Sequence, residues 1–377
     1  MKLAHLQLGK FIMRVKTPRT LVTFPQDTNI VVYNYLSRDA ISCAVADLYW
    51  LTIAPEWTDV DEIALDHPEI EPDSVKREIA RLVESGVLLQ EGTTEAAAET
   101  QYSASWELGP AVGMFHFSVL DNSYGDTEES VRKQNLRAIS DPSPELYWRN
   151  SGSVIQLPRH STEHGNELLK LMSHRRSRRN VLPEPISLEA LSECLFAGLG
   201  ITGFVKSQTA ILPLKMTPSG GARNPFEGYV WARNVEGLPA GIYHYSAVEH
   251  SLQWVGKSPQ KQPQDFVQKQ DWADNMPALI FLVAVLERVT WKYSDPNAYR
   301  VVMIEAGHIA QNMMLACTKN QLTACPTAAL SHKEISAILG LTRITQTPIY
   351  ALLVGKPSEV SDTTYTLEEA AQLRLIA

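Results

Sequence analysis

Cysteine is scarce in this 377-residue chain, and none of its four cysteines (Cys43, Cys194, Cys317, Cys325) forms a C-x-x-C pair or neighbours a histidine-rich stretch. That spacing argues against a disulfide framework and against structural zinc, so no metal site is expected. Reduced thiols are the simpler reading, as in a cytoplasmic protein. A basic excess is missing too: 34 lysines and arginines face 42 acids, for a net charge of −8. Such a chain is a poor general nucleic-acid binder. No apolar run reaches the roughly 20 residues of a membrane-spanning helix, and residues 278–286 fall far short. Residues 1–6 lack the unbroken apolar core of a secretion signal, so the expectation is a protein kept in the cytoplasm and off the membrane. No G-x-G-x-x-G follows a strand, which leaves a Rossmann dinucleotide domain unsupported. What is present is ordinary globular composition, 44% hydrophobic and 20% charged, at a length suited to two domains.

Residues 1–100 read as a small, mostly helical domain. Its clearest helix begins at Asp73 and Ser74, whose side-chain oxygens suit an N-cap. Val75, Ile79, Leu82 and Val83 form the apolar stripe, and Gly86 is placed to end it. Val87, Leu88 and Leu89 follow as a short strand. Helix, tight stop and strand together make the ending of a winged helix-turn-helix. Asp59, Asp61, Glu62, Asp66, Glu69, Glu71 and Asp73 crowd its approach and would repel DNA phosphate. Peptide docking is therefore favoured over DNA, beside the plainer reading of a solvated structural face. Residues 91–101, small and acidic, suit a linker. Residues 101–160 read as an irregular connecting segment anchored by Trp106, Phe115 and Phe117.

From 161 to 377 helices and strands alternate as one α+β domain. Helices are expected around Leu168 to Met172, after Ser187, over 301–318, and from a capping box at Ser331 to Glu334 that Gly340 closes. Strands are expected at 228–233 and 241–245, joined by a turn at Gly237, and at 348–355. A strand buried on both faces is expected at 278–286.

Two stretches carry candidate chemistry. The first, residues 174–179 (His-Arg-Arg-Ser-Arg-Arg), sets Arg175, Arg176, Arg178 and Arg179 around Ser177, a donor cluster matched to a phosphate dianion. Taken alone, a solvated patch is the plainer reading. The second, residues 218–225 (Pro-Ser-Gly-Gly-Ala-Arg-Asn-Pro), lets backbone at Gly220 and Gly221 approach a flat ligand, with Ser219 and Asn224 as polar contacts. Its plainer reading is a surface turn.

In sequence, these stretches resemble the nitroreductase-like flavoproteins, and more closely their SagB/ThcOx-type dehydrogenases, which act on azoline-bearing peptides. Arg175, Ser177 and Arg179 match an Arg-x-Ser-x-Arg element, and residues 218–222 match a Pro-Ser-(Ala/Gly)-Gly-Ala loop. Gly241, Tyr243 and Tyr245 match a Gly-x-Tyr-x-Tyr strand. Tyr299 and Arg300, then residues 305–312, match Tyr-Arg and Glu-Ala-Gly-His-x-x-Gln-Asn. Residues 354–357 match a Val-Gly-x-Pro ending. The match covers about 165–357 and, more loosely, Phe115, His116 and Phe117. One departure is Arg223-Asn224-Pro225, where the family has Leu-Tyr-Pro, on the substrate side of the pocket.

The resemblance implies a central, mostly antiparallel sheet flanked by helices, FMN as cofactor, and a homodimer with FMN at the subunit interface. It implies that Arg175, Arg176, Ser177 and Arg179 hold the phosphate and ribityl chain, joined by Gly355 and Lys356. Pro218, Ser219, Gly220, Gly221 and Asn224 would line the ring. The backbone of Pro326, Thr327 and Ala328 would stabilise charge on the reduced ring.

Lys292 and Tyr293 stand where azoline-oxidising members carry a Lys-Tyr pair. Forming an azole removes a hydride from one ring carbon and a proton from its neighbour. Tyr293 becomes a competent base only if an ammonium such as Lys292 favours its phenolate. Because adjacent residues diverge on a strand, the pair must sit in a loop. A surface lysine beside a half-buried tyrosine is the plainer alternative. His308 is expected to be a buried, satisfied histidine of the long helix, and Cys325 a small core residue. Three functions stay open: FMN-dependent dehydrogenation of a peptide or peptide-derived substrate alongside biosynthetic partner enzymes, NAD(P)H-dependent reduction of nitro or quinone acceptors, or a non-catalytic flavin-binding subunit.

Overall fold

Pro72 decides where the first long helix starts. The computed structural model describes residues 13–122, 127–140, 155, 157, 167–207, 211–293, 295–358, 369 and 372; the expected signal-free start at 1–6 and most of 141–160 lie outside them. Proline's fixed φ and missing N–H suit the first helical position. The cap therefore falls on Glu71, whose carboxylate accepts from the Ser74 amide at 2.9 Å, and not on Asp73 or Ser74 as expected. The stripe is as read: Val75, Ile79 and Leu82 are buried, and Gly86 stops the helix at φ 72°. A side chain at Gly86 would also meet Asp39 Oδ2 at 2.8 Å.

By internal contacts the chain divides into two units. The first is Met1–Asn122 with Leu286–Val301 and Thr342–Gln346; the second is Ser123–Val285 with Val302–Leu341 and Thr347–Ala377. In the first, strand β1 (Arg14–Lys16) and the antiparallel meander β2 (Leu21–Gln26), β3 (Asn29–Asn34) and β4 (Asp39–Cys43) come first. Strand β5 (Thr58–Asp59), helices α1 (Val60–Leu65) and α2 (Pro72–Glu84), and strand β6 (Leu89–Gln90) follow. β1 pairs antiparallel with both β5 and β6. Val15, Val32, Ile63, Val75, Ile79, Leu82 and Leu88 fill the core beneath.

Two expectations fail just beyond. The linker is helix α3 (Thr94–Ser105), capped by the Thr93 hydroxyl on the Ala96 amide at 3.2 Å. Alanines that suit a linker are also the best helix formers, so composition does not separate the two. The irregular segment contains helices α4 (Gly109–Ser118) and α5 (Thr127–Ser140). Of its expected anchors, Phe117 is buried with Tyr35 and Tyr102 and Trp106 packs against them, whereas Phe115 is exposed.

The second unit follows with α6 (Glu167–His174), α7 (Leu188–Leu199) and the hairpin β7 (Ile201–Lys206) and β8 (Ile211–Lys215). Next come β9 (Phe226–Ala232), β10 (Gly241–Ser246), β11 (Ser251–Lys257) and β12 (Ala278–Val285). The short helix α8 (Glu287–Thr290) belongs to the first unit. Helix α9 (Asn297–Lys319), β13 (Thr323–Thr327), α10 (His332–Leu339) and β14 (Gln346–Gly355) complete the order. The six-stranded sheet runs β11-β10-β9-β12-β14-β13, antiparallel across β11-β10-β9-β12 and across β14-β13. The fold class is α+β, as the alternation implied. All eight residues of β12 are buried, the outcome its unbroken apolar run requires. Ser187 caps α7 through the Ala190 amide, as expected. Ser331 does not cap α10 with its side chain, because its backbone is drawn to the Phe266 carbonyl (3.0 Å) and Glu334 pairs with Lys261 (2.7 Å).

Candidate active site

Helix α6 ends at His174, and the arginine segment beyond it is laced onto β13. The Arg178 amide donates to Thr323 Oγ1 at 3.0 Å, and that hydroxyl donates to the Arg176 carbonyl at 3.2 Å. Cys325 Sγ donates to the Arg178 carbonyl at 3.0 Å. Thr323 and Cys325 alternate along the strand and so share one face. Farther on, the Leu182 amide donates to the Lys356 carbonyl at 2.9 Å. These bonds bring together three groups far apart in sequence: Arg175 to Arg179, Thr323 with Cys325 on β13, and Gly355, the strand partner of Thr323, with Lys356 after it. Burial pushes the Cys325 thiol up, which keeps it a protonated donor and fits the core role expected for it.

The four guanidinium groups are not equivalent. Arg176 turns back and donates to the Ser173 and Arg175 carbonyls at 2.8 Å each, satisfying carbonyls at the end of α6. Half-buried Arg175 reaches Ser177 Oγ at 3.4 Å, and Arg179 lies 5.5 Å over the Trp272 ring. Among the described residues, neither Arg175 nor Arg179 has a carboxylate partner. Lys356 is paired with Glu184 at 2.5 Å. A phosphate dianion fits the uncompensated donors of Arg175, Ser177 and Arg179. Gly355 has a packing reason of its own, since a Cβ there would meet Val181 at 3.0 Å and Pro277 at 3.1 Å.

The loop at 218–224 holds three left-handed residues, Gly221 (φ 61°), Ala222 (φ 55°) and Asn224 (φ 47°). For alanine that conformation costs about 1 kcal/mol or more, while asparagine tolerates it through local hydrogen bonds. Asn224 Nδ2 bonds the Ala222 carbonyl at 3.0 Å, and its amide bonds Ser219 Oγ at 2.8 Å. The departure at 223–225 therefore has a local conformational reason. Beneath lies Glu305, 4% exposed, on α9. Burial raises its pKa, and hydrogen bonds from the Ser219 hydroxyl and the Gly220 amide pull it back. One face along, Asn312 Nδ2 donates to the Ala197 carbonyl at 3.3 Å and to Thr217 Oγ1 at 3.2 Å. Thr217 in turn donates to the Gly198 carbonyl at 2.9 Å. Glu305, Asn312 and Thr217 were not among the residues singled out as site candidates. Their signal was the seven-residue spacing of Glu305 and Asn312, which puts both on one helical face.

Lys292 and Tyr293 fall in the first unit, whereas the arginine segment, the loop and β13 fall in the second. Both backbone amides reach the Val289 carbonyl, at 3.0 and 2.9 Å, so the turn of α8 continues into the pair. Lys292 is exposed and Tyr293 half-buried, with Nζ 5.3 Å from the centre of the phenol ring. The pair is off any strand, on a helical turn rather than the loop expected for it. His308 is exposed within this chain, against the expectation of a buried residue, because it lies off the packed face of Glu305, Ala306, Ile309 and Ala310. Among the described residues no cluster of three metal-ligating side chains occurs, and no helix is long and apolar enough to cross a membrane.

The nitroreductase family model matches residues 172–356. A Methanocaldococcus jannaschii protein named as a nitroreductase is 32% identical over 197 residues, covering 51% of this chain and 92% of that protein. The trifolitoxin-processing protein TfxB of Rhizobium leguminosarum bv. trifolii is 27% identical over 181 residues, covering 46% of this chain and 48% of TfxB. The match thus takes in about half of TfxB's length. A chain of the Escherichia coli microcin synthetase McbBCD complex with truncated pro-MccB17 bound aligns at TM-score 0.52 and 18% identity, covering 68% of this chain and 97% of that one. At that identity the likeness is one of fold alone.

Proposed function

This chain belongs to the nitroreductase family of oxidoreductases, and from that premise we propose that it is an FMN-dependent dehydrogenase of an azoline-bearing peptide. The observation that carries the cofactor reading is the lacing of the arginine segment onto β13, where residues 176 and 178, which alternate with Arg175, Ser177 and Arg179, are bonded to Thr323 and Cys325, just ahead of residues 326–328. FMN, when bound, supplies a hydride acceptor. Arg175, Ser177 and Arg179 would hold its phosphate, with Arg176 and Lys356 close by. Pro218, Ser219, Gly220, Gly221 and Asn224 would form the bed for the ring. Pro326 has no N–H, so any backbone donor there comes from Thr327 or Ala328. Tyr293 Oη takes the proton, with Lys292 Nζ 5.3 Å from the centre of its ring.

The peptide half of the reading is supported by a curated relative that processes trifolitoxin and by a structural likeness to a microcin synthetase chain. Partner enzymes, a homodimer and a cytoplasmic location belong to the same proposal, as does peptide docking by the acidic N-terminal region. The test is anaerobic mixing of the FMN-loaded protein with a short synthetic peptide carrying one thiazoline ring, which should bleach the flavin and yield the thiazole. A second reading, NAD(P)H-dependent reduction of small acceptors, is favoured by the relative named as a nitroreductase. Rapid bleaching by NAD(P)H with fast turnover of nitro compounds, and none by the peptide, would establish it instead.

A further inference from the structure

The Lys292 and Tyr293 turn lies between two anchorages made entirely within the first unit. Five residues before Lys292, Glu287 accepts from Arg343 Nη1 at 3.0 Å and from the Thr345 hydroxyl. Next to it, the Leu286 amide donates to the Thr345 carbonyl at 2.9 Å. The 342–346 segment is itself held by α3, where Gln101 Nε2 donates to the Thr342 carbonyl at 2.9 Å. Ile344 of the same segment packs against the core of Tyr35, Tyr102 and Phe117. Six residues beyond Tyr293, the Tyr299 hydroxyl meets His116 Nδ1 of α4 at 2.6 Å. Tyr299 is 6% exposed and His116 2%, with the Trp106 and Phe117 rings 5.3 and 4.7 Å from the imidazole.

We propose that α3 and α4 are the frame of the proton-transfer turn, and that His116 and Tyr299 are its positioning residues. The proposal rests on the reading of Lys292 and Tyr293 as the base. An exposed lysine and a half-buried tyrosine on a short turn gain no fixed geometry from their own burial. A displacement of about 1 Å at a reacting group can cost on the order of a hundredfold in rate. Anchoring both ends of the segment confines the turn between them. The His116 contact does so through one short bond in a dry aromatic setting, where losing a partner costs about 1–3 kcal/mol. Helices α3 and α4, which look like a linker and an irregular connecting segment in the sequence, thus take part in catalysis without touching substrate.

The test uses full-length, FMN-loaded protein carrying Tyr299→Phe, His116→Phe or both. Amide hydrogen exchange over residues 286–299 is followed by mass spectrometry, beside anaerobic bleaching by the thiazoline peptide. Tyr299→Phe keeps the ring and should raise exchange around 288–293 by about tenfold, the scale of one lost hydrogen bond, leaving β9 and β12 protected. Flavin content should not change. Maximal bleaching rate should fall at least about tenfold with half-saturation nearly constant, the split expected when geometry and not binding is lost. In the double variant the His116–Tyr299 hydrogen bond is removed from both sides at once, so melting temperature should recover toward wild type while the turn stays loose and slow. A merely structural pair would instead recover both together. If His116→Phe fails to fold, His116→Gln, which keeps a hydrogen-bonding group, replaces it. Wild-type exchange at 288–293 in Tyr299→Phe would overturn the proposal. Normal bleaching in Tyr293→Phe would instead refute the base itself, and a loosened turn in Tyr299→Phe would still be seen.

Discussion

The glycine loop and the Lys292/Tyr293 turn are steadied in opposite ways. The loop is braced from one helix directly beneath it, by Glu305 and Asn312 on a single face of α9, through hydrogen bonds to Ser219, Gly220 and Thr217. The turn is held at its ends. It hangs between contacts to Arg343, Thr345 and His116, which come from elsewhere in the chain. On the proposed reading, a bed for a flat cofactor needs backbone held in unusual conformations, which buried polar side chains next to it supply, and a base needs only its position fixed, which anchoring the ends of its segment provides.

If this division is right, the arginine edge and the turn fail separately. The largest effect belongs to Arg175→Ala with Arg179→Ala. Losing two charge-assisted contacts at about 1.5–3 kcal/mol each should weaken FMN binding by roughly a hundredfold or more. Titration with FMN measures it, and circular dichroism should show an intact fold. Loss of flavin in Lys292→Ala as well would erase the contrast. Next come Lys292→Ala and Tyr293→Phe, each expected to slow peptide-driven bleaching by about a hundredfold to ten-thousandfold with flavin content unchanged. The double variant should be little worse than the slower single one, since the lysine acts through the tyrosine.

Asn312→Ala sharpens the other side of the comparison. It leaves the half-buried Ala197 carbonyl and Thr217 hydroxyl without that donor and should cost about 1–3 kcal/mol in urea unfolding, with flavin content falling alongside. The smallest effect is a slope. Burial raises the Glu305 pKa above its unfolded value, so the folded state holds the proton more tightly. Stability therefore falls as pH rises from the ordinary carboxylate range to the folded pKa and is flat above it. Glu305→Gln should remove that slope from melting temperatures taken between about pH 4 and pH 8. An unchanged slope would mean another group titrates there.

Sequence patterns were informative where one stretch of chain decides the outcome. The apolar run of β12, the stripe of α2 with its Gly86 stop, and the Ser187 cap are local, and each stands as read. Composition misled where one set of residues serves two states. The alanines after Thr93 suit a linker and a helix alike, and the Glu99 carboxylate on the Arg19 amide and the Thr20 hydroxyl, with Tyr102 in the aromatic core, ties the helix to the rest of its unit. Asp73 and Ser74 were plausible caps until Pro72 claimed the first position.

By itself the sequence determined the α+β alternation, the buried strands, and the presence of a phosphate-matching arginine stretch and, farther along the chain, a glycine loop. Those follow from periodicity and from residue chemistry, which act over a few positions. Only the tertiary structure decided that Arg176 turns onto α6 while Arg175 and Arg179 have no carboxylate partner among the described residues, and that Thr323 and Cys325 lace residues 176 and 178 to β13. It alone paired His116 with Tyr299 across 183 positions. A side-chain hydrogen bond needs its two atoms within about 3 Å, and no spacing along the chain records which distant residues the fold will bring that close.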